Sequence, residues 1–69
     1  MAPILKPELV IKCLEANGFL YVSQKGSHRK YRKGGATVIV PMHYELAKGT
    51  LRSILEQSGL TLEQLMRHI

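Results

Sequence analysis

The sequence predicts an α+β domain in the order α-β-β-β-α with a short extra terminal helix: a three-stranded antiparallel meander with helices packed on one face. Three observations predict it. Residues 7–17 carry one apolar stripe at helical spacing that stops at Asn17-Gly18. Three short runs of strand-forming residues follow, divided by Lys25-Gly26 and Gly34-Gly35. Two further helical segments then follow, separated at Gly59. A chain of 69 residues is expected to form one domain, residues 1–69, with a modest core. Its hydrophobic content of 45% favours a packed fold over a disordered tail.

Pro7 suits a first helical turn, where its missing N–H would have no partner. Pro7, Val10, Ile11 and Leu14 follow the i, i+3, i+4, i+7 template, and Leu9 and Cys13 widen the stripe. Gly18 is free to take the left-handed conformation that ends a helix. Phe19 to Gln24 is rich in aromatic and β-branched residues and reads as the first strand. Lys25-Gly26 turns the chain into a second strand, Ser27 to Lys33. Alternation puts His28, Lys30 and Arg32 on one face and Arg29, Tyr31 and Lys33 on the other. With Tyr31 toward the helices, the first set faces solvent together. Gly34-Gly35 forms the next hairpin turn. Ala36 to Val40, the most apolar run, is the third strand, and Pro41 ends it or sits at an edge. Residues 42–48 read as a loop. Gly49-Thr50 starts the next helix, with Thr50 as its N-cap and Leu51, Ile54, Leu55 and Ser58 on one face. Thr61 and Gln64 fit a capping box for a last helix over 62–68, with Leu60 and Leu65 as its hydrophobic staple.

Charge directs the functional reading. The net charge is +5 and the pI about 9.7. Lys25, Arg29, Lys30, Arg32 and Lys33 supply half of the Lys and Arg residues from one nine-residue run, and no acid lies between Glu15 and Glu45. Such a run suits a polyanion, nucleic acid first and an acidic protein second. A membrane is disfavoured: no apolar run approaches spanning length, and Met1 to Lys6 is too short for a signal peptide. Cys13, the one cysteine, allows no intrachain disulfide and fits a reducing cytoplasm.

Several chemistries are poorly served. The chain has no Asp, and its Glu residues are scattered, so the convergent carboxylates of a metal-dependent nuclease are not expected. There is no His–Cys cluster for zinc and no glycine-rich phosphate loop. Ser27 and His28, adjacent on a strand, point to opposite faces and make a poor nucleophilic pair. No cofactor is implied. Metal-free cleavage of RNA remains, in which the 2′-OH attacks its own phosphate. That route needs a base, cations for the developing charge and an acid for the leaving oxygen. His28 is the candidate base. Lys30 and Arg32 share its face, and Arg29 or Lys25 can reach in through the turn. The acid is His43, a lysine, or His28 acting in turn. Lys48 and Arg52 flank a helix N-terminus suited to a phosphate. Tyr21 and Tyr31 either stack on bases or pack half-buried on the sheet, and His68 suits a helix C-terminus.

Taken in order, several local sequences resemble the HicA toxins of bacterial toxin–antitoxin pairs. They are Gly18-Phe19, Lys25-Gly26-Ser27-His28, Val40-Pro41-Met42-His43, Lys48-Gly49-Thr50-Leu51 and Gly59-Leu60-Thr61. The resemblance implies a fold similar to the double-stranded RNA-binding module. It also implies the toxin of a type II system, a ribosome-independent endoribonuclease that cleaves mRNA and is neutralised by a HicB-like antitoxin. The family's catalytic histidine falls on His28. Gly26 and Ser27 would shape the turn presenting it, with Lys25, Arg29, Lys30, Arg32 and Lys48 toward RNA. The alternatives are an RNA-binding domain without chemistry and a basic protein-interaction module.

Overall fold

The computed structural model describes residues 6–42 and 48–67. The elements run α1 (Pro7–Ala16), β1 (Leu20–Lys25), β2 (His28–Lys33), β3 (Ala36–Pro41), α2 (Lys48–Ser58) and α3 (Leu62–Met66). The strands form one antiparallel sheet in the order β1-β2-β3. This is the α+β layout expected from the sequence.

Pro7 opens α1 behind an extended Lys6, and Pro7, Val10, Ile11, Cys13 and Leu14 are its buried side. The helix closes in a Schellman arrangement. Phe19 N–H donates to the Leu14 carbonyl and Gly18 N–H to the Glu15 carbonyl, both at 3.0 Å. Gly18 adopts φ +94°, a conformation that side chains bearing a Cβ resist. Phe19 is thereby turned into the core beside Leu14. Burying such a side chain contributes about 1.5–3 kcal/mol, which offsets part of the cost of fixing the turn.

Gly26-Ser27 and Gly34-Gly35 make the two hairpin turns, and Gly26 and Gly34 take φ +59° and +56° at the position that type II′ turns reserve for glycine. The second hairpin extends past its strand ends, since Met42 N–H donates to the Ser27 carbonyl at 2.6 Å. β1 carries an irregularity that its composition does not announce. Tyr21 pairs with Tyr31 and Ser23 with Lys30, leaving Val22 as a bulge.

The core joins α1 to Tyr31, Val38, Val40, Ile54 and Leu65. α2 packs on β3, and α1 meets α3 and β3, so the helices cover the β3 side of the sheet more than the β1 side. α2 begins earlier than its cap signal suggests: Thr50, expected as the N-cap, lies inside the first turn. A capping side chain is a local preference, and a helix extends past it where φ/ψ and packing allow. α3 is too short to persist alone. It is held by its capping box, in which the Thr61 hydroxyl accepts from Gln64 N–H at 3.1 Å and Gln64 Oε1 accepts from Thr61 N–H at 2.9 Å. Leu65 anchors it in the core, with Leu60 packed against the same cluster.

A candidate nucleic-acid interface on the open sheet face

The site begins with Tyr31. It is 2% exposed, packed with Val38 directly across the sheet. That fixes the face of every other residue in β2. Arg29 and Lys33 share the helix-covered side; His28, Lys30 and Arg32 project from the other. The register assembles the rest of this open face. Lys25, Ser23 and Leu20 stand across from His28, Lys30 and Arg32 on β1. Pro41, Ile39 and Thr37 stand across from them on β3. His28 and Arg32 are exposed, and Lys30 is half-buried among its neighbours. Arg32 Nε lies 3.4 Å from the Thr37 hydroxyl, a long contact that still leans the guanidinium along the face.

The remaining cations of the run go elsewhere. Arg29 donates through Nε to the Gln24 side chain at 2.9 Å, across the hairpin on the helix side. Gln24 in turn donates to the Gly26 carbonyl at 2.9 Å, bracing the turn before Ser27 and His28. Lys33 is occupied structurally. Its ammonium donates to the Asn17 carbonyl at 2.6 Å, at the negative end of α1, and lies 6.0 Å from the Phe19 ring centroid. Tyr21 meets Tyr31 edge to face at 5.9 Å, also on the helix side. Tyr31 is therefore a core residue and offers no ring to a base. Arg52 is paired with Glu56 at 3.2 Å on the exposed side of α2.

His43, Glu45 and His68 lie outside the described residues, as does the side chain of Lys48, whose backbone opens α2. Among the described residues no three His, Cys, Asp or Glu side chains converge as a metal site would require, and no helix is long and apolar enough to cross a membrane. What the open face provides is a row of His28, Lys30 and Arg32 on β2, with Lys25 of β1 beside the imidazole. Sequence alternation found that row through Tyr31. It did not place Lys25 opposite His28, because the two-residue turn is Gly26-Ser27, one position later than the expected Lys25-Gly26, so Lys25 ends β1 and β2 starts at His28. Ser23 and Thr37 were also missed; only the register carries them onto the face.

No curated protein matches the chain. A sequence model for the HicA toxin of bacterial toxin-antitoxin systems matches residues 8–60, from the first turn of α1 to the residue before the α3 cap. That span holds the whole sheet, the basic strand and α2, so the chain belongs to the HicA toxin family, the toxin component of a toxin–antitoxin pair with a cognate antitoxin as its partner.

Proposed function

We propose that this toxin is a metal-independent endoribonuclease acting on mRNA in the cytoplasm, with His28 as general base and a HicB-like antitoxin as its inhibitor. The observation that supports this reading most is the grouping of His28, Lys30, Arg32 and Lys25 on the sheet face away from the helices. His28 takes the 2′-OH proton as that oxygen attacks the adjacent phosphorus. Lys30 and Arg32 hold the phosphate and offset the charge that builds on its free oxygens. The guanidinium is suited to two phosphate oxygens at once, the ammonium to one. Lys25 neutralises the strand arriving from the turn. The leaving 5′-oxygen takes a proton from His43, from a lysine, or from His28 after it has been charged. Lys48 at the head of α2 is the further candidate phosphate contact.

A chimeric RNA oligonucleotide tests the route. With hydrogen in place of the single 2′-hydroxyl at the cut site, cleavage should stop. The all-RNA substrate should be cut in EDTA to give a 2′,3′-cyclic phosphate. His28→Ala should lower the rate by about 100-fold or more, the usual scale of acid–base catalysis, with its melting transition nearly unchanged. Cutting that survives the 2′-deoxy substitution excludes this attack. Full activity of His28→Ala removes His28 as the base.

A further inference from the structure

The two edges of the sheet are unlike. On β3, Ile39 N–H points outward and donates to the Gln57 side chain of α2 at 2.9 Å. By alternation Pro41 also points outward, where it has no N–H to offer. On β1 the situation is reversed. Every residue of the strand is exposed, and Leu20, Tyr21 and Val22 form a continuous apolar stretch exposed by 73%, 55% and 44%. The outward direction of Ile39 fixes the rest of the ladder. Lys30, its partner, bonds toward β1, so Tyr21 and Gln24, at the alternate pairs, direct their backbone groups away from the sheet. A large apolar edge whose outward backbone groups meet no partner among the described residues is what an added strand requires.

We propose that the open edge of β1 accepts an extended, acidic segment of the cognate antitoxin as a fourth, outer strand. The inference rests on the toxin–antitoxin reading and adds to it the docking element and its chemistry. Charge selects this occupant over a second copy of the chain. A second copy carries the same net charge of +5 and would bring its own Lys25 to the seam. An acidic strand instead meets Lys25 directly and lies about 10 Å, two strand spacings, from Lys30 and Arg32. Its apolar residues cover Leu20, Tyr21 and Val22. Its acidic residues on the open face lie beside Lys25, one strand out from His28, and compete with phosphate for the cations of that face. Sheet addition and occlusion of the site then become one event.

Hydrogen exchange on the full chain is the test, alone, with purified cognate antitoxin, and with an uncleavable 2′-deoxy-substituted RNA. The antitoxin should slow the Tyr21 and Gln24 amides by about tenfold or more, as new backbone bonds do. RNA should leave them unchanged. The neutral change Val22→Asn should weaken antitoxin binding by about tenfold or more with RNA cleavage retained. A complex that forms while both amides exchange as in the free chain overturns the edge proposal and leaves the toxin reading in place. Slowing of both amides by RNA also overturns it and assigns the edge to nucleic acid. An antitoxin that does not bind at all removes the reading on which the proposal rests.

Discussion

Lys33 sits in the most basic stretch of the chain, and its ammonium is spent on the Asn17 carbonyl. Its side chain lies against Gly18, where an added Cβ would come within 3.2 Å of Lys33 Cε. The two residues thus share one small construction at the end of α1. Gly18→Ala should destabilise by about 1 kcal/mol or more, since the positive φ resists any Cβ. Lys33→Met keeps the stem and removes the donor, and should cost roughly 0.5–1.5 kcal/mol. Because Gly18→Ala already displaces the Lys33 stem, the double variant should cost less than the two together in urea unfolding. A sum that is fully additive would mean the two act separately. Cys13 makes a different residue-scale prediction. It is fully buried, and burial raises its thiol pKa. The folded chain therefore keeps a proton that the unfolded chain releases above about pH 8.5. Stability should fall as pH rises through that value, and the native thiol should resist alkylation until the protein unfolds. Rapid labelling of the native protein at neutral pH would contradict this. The sequence made Cys13 legible as core but left Lys33 indistinct among the cations, because its partner is a backbone carbonyl sixteen residues away.

At the level of elements, the parts set by local chemistry were legible. Pro7, Gly18, Gly26, Gly34 and Thr61 act within a turn of themselves, and the helices and hairpins lie where those residues direct. The parts set across the sheet were not. The Val22 bulge depends on pairing Ser23 with Lys30, and no residue near Val22 encodes that register. The open face was read correctly as far as one strand allows, through Tyr31, but its width over β1 and β3 emerges only from the ladder. The best local signal gives a direct prediction. Thr61→Ala should cost about 0.5–2 kcal/mol, whereas Thr61→Ser keeps the hydroxyl and should cost far less. The loss should appear first as faster exchange in α3, since five residues cannot hold a helix without their cap and Leu65. Equal behaviour of the two variants would show that packing alone fixes α3.

For the whole molecule, the layers assign separate tasks to the two sides of one sheet. The helix side supplies the core that holds β2 and β3 in place, and among the described residues no element covers the charged open side. RNA and antitoxin are then expected to exclude each other. Adding the antitoxin to a complex of His28→Ala with labelled RNA should release RNA in step with binding, and Lys30→Glu with Arg32→Glu should weaken both ligands. A stable ternary complex would separate the two surfaces. RNA affinity should also fall steeply with salt, as contacts to phosphate require. The contrast between the Gln57-sealed edge and the bare edge of β1 has a further effect, on growth. Fibres need subunits that can be extended at both ends, so that each addition creates a site for the next. Here the β3 end is partly covered from within the chain, since Gln57 takes the Ile39 N–H and Pro41 has no N–H to give. With an added strand on β1, further growth would have to start from that poorer edge. The toxin can therefore keep an adhesive edge ready for its partner while repeated sheet addition is disfavoured.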